Sequence, residues 1–105
     1  MLYSLKVTSL AYNDIDRIVA FFDKETSNTL LGNRFINEID ICLNNLRVNY
    51  NKYQLRYKNV RLIHLKKFKY SIHYINDDKR KRVIIIAIFS SKENPKKWKE
   101  RHKTV

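Results

Sequence analysis

The sequence predicts an α+β fold, with a helix hairpin packed on a small, mainly antiparallel sheet in the order β-α-α-β-β-β. Two segments with apolar residues at helical spacing come first, and three short apolar runs separated by polar connectors follow. No internal repeat, linker or low-complexity tract interrupts them. A chain of 105 residues is read as one domain, 1–105, with one modest core.

Residues 2–8 alternate, with Leu2, Ser4, Lys6 and Thr8 set against Tyr3, Leu5 and Val7, as in a strand with one buried face. Asn13 or Ser9 is placed to cap the next helix, with Asp14 and Asp16 in a first turn where the helix dipole favours acids. Ile15, Ile18, Val19 and Phe22 make one apolar stripe. Thr26 to Thr29 breaks that period and can cap a second helix, whose stripe is Phe35, Ile39, Leu43 and Leu46 with Ile36 and Cys42 beside it. The two helices are predicted to pair as an antiparallel hairpin.

Residues 49–59 are polar, tyrosine-rich and without period, and read as a loop. The runs 60–65, 70–75 and 83–89 have β character, and their short connectors argue for an antiparallel meander. The last run is apolar on both faces and is predicted to be the central strand. Tyr70, Ile72 and Tyr74 share one strand face and are expected to pack there. Asn94 and Pro95 start a helical turn anchored by Trp98, and the polar tail 99–105 is expected to fray.

The charge is unevenly placed. Residues 1–52 hold 6 Lys/Arg and 6 Asp/Glu, whereas residues 53–105 hold 16 and 4, so the whole excess of +12 lies in the second half. Such a field attracts phosphate backbones or an acidic protein segment. Lys66, Lys67 and Lys69 form one cluster and Lys79, Arg80, Lys81 and Arg82 another. With Lys92, Lys96, Lys97, Lys99 and Arg101 they are expected to form a basic rim that binds anions, with Trp98 as packing anchor or interface contact.

Other classes recede. No apolar run approaches the roughly 20 residues of a membrane span, and the start carries no basic-then-apolar leader. Cys42 is the one cysteine, which excludes an internal disulfide or a Cys-rich zinc site, and it reads as a small apolar core residue. No His, Cys, Asp or Glu set has ligand spacing, so no metal or other cofactor is expected. These features point to the cytosol. Of the histidines, His64 and His73 fall on predicted strands, where cross-strand packing competes with catalysis, and His102 falls in the tail.

The stretch from Asn59 to Tyr74, with Phe68, Tyr70, Ile72 and Tyr74 in alternation, then 83–89 and Asn94-Pro95-Lys96-Lys97-Trp98, resembles the RelE/ParE toxins of type II toxin–antitoxin systems, also called plasmid stabilisation proteins. The resemblance covers residues 2–101 and implies a compact toxin neutralised by a cognate acidic antitoxin. RelE-like members cleave mRNA on the ribosome, and ParE-like members inhibit DNA gyrase. Cleavage needs a base, an acid and cationic donors. The resemblance puts Ser71 where the nucleases have an arginine, Lys92 near a second arginine, Trp98 at a tyrosine, and Leu62 and His64 near lysines. Ser90 stands where plasmid stabilisation members have a histidine. These departures favour the ParE-like side, with gyrase as target. The alternatives are a ribosome-dependent nuclease with a divergent site built from Arg61, His64, His73 and Lys92, or a degraded member that only binds. Arg61 opens its run where the family has arginine, and an ion pair with Glu38 or Asp40 is its structural alternative.

Overall fold

Residues 2–105 are described by the computed structural model. The chain runs β1 (Ser4–Val7), α1 (Ser9–Thr26), α2 (Leu30–Asn49), β2 (Leu55–Tyr57), β3 (Val60–His64), β4 (Tyr70–Asp77), β5 (Arg82–Ser90) and α3 (Pro95–His102). The strands form one sheet in the order β1-β5-β4-β3-β2, with β1 parallel to β5 and every other pair antiparallel. β5 is thus interior, as its apolar sequence requires, but β4 holds the middle position because β2 adds an edge beyond β3.

The helix hairpin forms as the stripes predict. Ile18, Phe35, Ile39, Leu43 and Leu46 are buried against Ile63, Ile72, Tyr74, Val83, Ile85 and Ile88, with Ile15, Val19, Phe22 and Cys42 packed at the margin. The helices come close at Gly32, where a Cβ would stand 2.7 Å from Asp23 Oδ1 and 3.0 Å from a Val19 methyl.

Local details differ from the sequence reading. Neither Ser9 nor Asn13 caps α1, because the helix begins at Ser9, and extended Thr8 accepts the Ala11 N–H through its hydroxyl. Asp14 and Asp16 consequently lie beyond the first turn. The segment read as a loop contains the short strand β2, too brief to show a period. The tail does not fray at Lys99; α3 continues to His102, capped by Asn94 with Pro95 in its first turn.

One irregularity has large consequences. His73 pairs with Ala87 and Tyr74 with Ile85, so Ile86 is an extra residue in β5, a β-bulge. Val83 and Ile85 face the hairpin, both Ile86 and Ala87 join the opposite cluster, and then Ile88 faces the hairpin and Phe89 faces away. That second cluster, with Val60, Leu62, Ile75 and Ile84, lies on the outer face of the sheet, where Tyr57 and Trp98 cover it.

Candidate functional site

The outer face carries the candidate chemistry. On β4, Ser71, His73 and Ile75 alternate toward it, and on β3 Val60, Leu62 and His64 do the same, since Ser71 lies opposite His64 and His73 opposite Leu62. His73 is fully buried, in edge contact with Phe89 and Trp98, each with ring centroids 5.1 Å away. Its Nδ1 lies 3.0 Å from the Tyr57 hydroxyl, while Nε2 is buried without a partner among the described residues. Burial above all, then the nearby His64 and Arg101 charges, holds the imidazole down to about 4, so it is neutral at physiological pH. Burial likewise pushes the Tyr57 phenol up to about 12, against the opposing pull of Arg101. Trp98 stacks on Tyr57 at 5.6 Å, and its buried indole N–H has no partner among the described residues.

Above this cluster α3 is clamped through Arg101. Its Nη1 and Nη2 donate to Asp14 Oδ2 and Oδ1 at 2.7 and 3.1 Å, and Nη1 also donates to the Ile86 carbonyl at 3.0 Å. Asp14 Oδ2 in turn accepts the Ile88 N–H at 3.0 Å, and the guanidinium sits 4.9 Å from the Phe89 centroid. The reason lies in the sheet. β1 pairs with β5 only as far as Ile85, so beyond that point the edge of β5 offers free backbone groups, and this side-chain pair takes the place of a strand. Arg101, expected in the anion-binding rim, is committed inward.

The remaining candidates do not converge. Arg61 Nη1 donates to the Tyr53 and Asn51 carbonyls at 2.6 and 3.4 Å, fixing the chain before β2; its partners are carbonyls, not Glu38 or Asp40. His64 is exposed, with Nδ1 2.6 Å from the Ser71 hydroxyl. Lys92 lies in the exposed turn after β5, where its N–H donates to Ser90 Oγ. His102 leaves the tail to bond Asn59 Oδ1 at 2.7 Å.

The basic clusters also separate. Lys66, Lys67 and Lys69 sit in the β3–β4 turn, at the end of the sheet where Tyr70 pairs with Ser90 and beside Lys92. Lys79, Arg80, Lys81 and Arg82 sit at the opposite end of β4, roughly 25 Å away at 3.3 Å per residue. At that far turn Arg80 and Arg82 both bind Asp77, whose carboxyl, against the upward push of desolvation, is held below its usual range by the bonds from Arg80 and the charges of Arg80 and Arg82. The Tyr3 hydroxyl donates to Asp78 there. Lys96, Lys97 and Lys99 line exposed α3, and Lys97 pairs with Glu93 at 3.1 Å.

Two open hollows meet at the β3–β4 turn. One, of about 690 Å³, runs between α2 and the sheet and is lined by Leu31, Arg34, Ile41, Cys42, Tyr53, Ile63 and Lys52 among others. The second, of about 380 Å³, lies over His64, Ser71 and Ser91. His64, Lys66, Lys67 and Phe68 line both.

Sequence reasoning missed Asp14 and the pairing of Ser71 with His64. Asp14 had a signal: with Ala11 and Ile18 it completes the buried i, i+3, i+7 face of α1, so a lone acid stood on an apolar stripe.

The model of the family described as the ParE toxin of the type II toxin–antitoxin system, parDE, matches residues 5–95. The fold is shared with solved structures of both toxin lineages. A chain of the chromosomal ParDE system from P. aeruginosa has a TM-score of 0.73 at 20% identity, covering 85% of this chain and 96% of that one. A mutant of the E. coli RelE toxin in the free state has a TM-score of 0.64 at 16% identity, covering 100% and 99%. A chain of the RelBE2 toxin–antitoxin complex from Mycobacterium tuberculosis has 0.56 at 14%, covering 86% and 99%. No sequence among curated proteins matches the chain. Since the matched span runs from β1 to the start of α3, the chain belongs to the ParE toxin family of type II toxin–antitoxin systems, and that family implies an antitoxin as its partner.

Proposed function

We propose that this toxin inhibits DNA gyrase in the cytoplasm, without cutting RNA, and that an acidic antitoxin segment silences it. The observation that carries this reading is the state of the outer face. Attack by a ribose 2′-hydroxyl needs a base and an acid within reach of the scissile phosphate. Here His73 is sealed beneath Trp98 and neutral, Arg101 is spent on Asp14, and Arg61 is turned to backbone carbonyls. His64 is bonded to Ser71, and Lys92 is not among the residues lining the hollow that His64 shares with Lys66, Lys67 and Lys69. Inhibiting a large protein target requires only a complementary surface, which the Lys66, Lys67, Lys69 and Lys92 end offers, with Lys96 and Lys99 on α3.

The hollow between α2 and the sheet suits the antitoxin. It joins apolar Leu31, Ile41 and Ile63 to Arg34, Lys52, Lys66 and Lys67, which fits an amphipathic segment with one acidic edge. Association should be fast and should slow with salt. No described helix is long and apolar enough to cross a membrane, which agrees with an internal target.

Purified toxin should inhibit gyrase supercoiling, and translating ribosomes with a reporter mRNA should show no toxin-dependent cuts. Robust cleavage abolished by His64→Ala or Lys92→Ala would replace this reading with the nuclease. Absence of both activities, with the antitoxin still bound, would leave only a binding module.

A further inference from the structure

The side of α2 turned away from the sheet is less polar than a solvated helix face should be. Leu30, Ile41 and Val48 lie on it and are 58%, 55% and 60% exposed. Intervals of 11 and 7 residues are close to three and two helical turns, so the three side chains fall within about 20° of one another. They make a stripe about 27 Å long, opposite the buried side chains that fix the inner face of the helix. Beside the stripe Arg34, Asn37 and Asn45 are exposed, one charge and two amides.

The spacing of the stripe is self-complementary. About a two-fold axis at position 39, Leu30 of one copy lies opposite Val48 of the other at both ends, and the two Ile41 side chains fall about one turn apart at the centre. We propose that this stripe is a homotypic interface, through which two copies of the toxin pair with their α2 helices antiparallel. The charge distribution favours a second copy over an acidic occupant. Residues 1–52 carry no net charge, and the surplus of +12 sits with residues 53–105. An acidic partner gains little on this face and much at the lysines of the β3–β4 turn. Pairing through α2 keeps both sheets, with their basic turns, on the outside of the assembly. Repulsion between two chains of charge +12 still opposes it, so the contact is strengthened by salt, whereas antitoxin binding is weakened. Three apolar side chains per copy give a small interface, below about 1,200 Å², and a dissociation constant on the order of 100 µM. Arg34, Asn37, Ile41 and Asn45 also line the larger hollow, so a paired toxin presents that hollow with one margin covered. The proposal does not depend on the gyrase reading.

Sedimentation velocity of the full chain at about 0.5 mM, in roughly 0.05 M and 0.5 M salt, is the test. A dimer should form, and its fraction should rise with salt. Ile41→Glu and Val48→Glu change exposed positions, so each should keep the parent's thermal midpoint within a few degrees. Each should weaken pairing about tenfold or more, because pairing would bury a carboxylate without a cation. Register is read by oxidising a mixture of Leu30→Cys and Val48→Cys chains, both also carrying Cys42→Ala. The disulfide should join position 30 to position 48, since two copies of position 30 lie about 27 Å apart, beyond disulfide reach. A chain that stays monomeric in both salts would overturn the interface. So would pairing that survives both glutamate variants, or position 30 joining to itself as readily as to 48. A monomeric chain whose Leu30 and Val48 amide signals shift on adding an acidic amphipathic peptide would give the stripe to the antitoxin instead.

Discussion

The two faces of the sheet are held by different means. Against one face lie two helices of 18 and 20 residues, whose apolar stripes make a continuous core with the strands. Against the other lies one helix of 8 residues with no buried residue of its own. It is held by a guanidinium on a carboxylate, a half-buried tryptophan and a histidine–asparagine bond. Core burial is cooperative, whereas a few polar clamps can open locally at less than the global cost. The histidines and Trp98 lie with the weakly held layer.

That contrast can be broken from either side, and the largest effect should come from the hairpin face. Phe35 is fully buried, and Phe35→Ala should cost about 3–5 kcal/mol of global stability, read as a lower denaturant midpoint with an unchanged slope. On the outer face, Arg101→Ala leaves buried Asp14 with only the exposed Arg17 guanidinium, 3.4 Å from Oδ1, and should cost about 3 kcal/mol. Hydrogen exchange separates the two: this loss should appear first at the Ile88 amide and in α3. Uniform acceleration across both helices of the hairpin would contradict the contrast.

A third effect follows from His73, whose pKa falls from 6.5 to about 4 on folding. Between those values the unfolded chain binds more protons than the folded one, so stability is complete above pH 6.5, declines as pH falls, and this contribution is gone below 4. At pH 4.5 the loss relative to pH 7 should be about 2 kcal/mol. His73→Phe should flatten that part of the profile; an unchanged slope would show that His73 is not the group responsible. The smallest stability change belongs to the exposed turn. Lys66→Ala and Lys67→Ala should stay within about 0.5 kcal/mol of the parent, yet antitoxin association measured by stopped flow should slow and lose part of its salt dependence.

Much of this asymmetry can be read from sequence, but unequally. Phe35, Ile39, Leu43 and Leu46 recur with the helical period, and 70–75 alternates, so the hairpin and its sheet were visible. The bulge was not: in Val83 to Phe89 every residue is apolar, and an extra Ile86 leaves no mark on such a pattern. β2 has only three residues, too few for alternation to stand out. Arg101 looked like one more surface cation because its partner Asp14 lies 87 residues away. The candidate site suffered most. Charge counts found the basic half, but they could not tell that the 66–69 and 79–82 turns lie at opposite ends of β4, or that Asp77 pairs with Arg80 and Arg82 in the second.

The order of residues also sets a clock. At synthesis rates of about 5–20 residues per second, roughly a second separates the completion of β5 at Ser90 from the addition of Arg101. Arg101 is the last of the clamp's groups to be made, so Asp14 and the Ile86 carbonyl share no donor until the C-terminal segment has docked. A chain stalled short of Arg101 keeps the residues of its helix hairpin and sheet but lacks the fastening of α3.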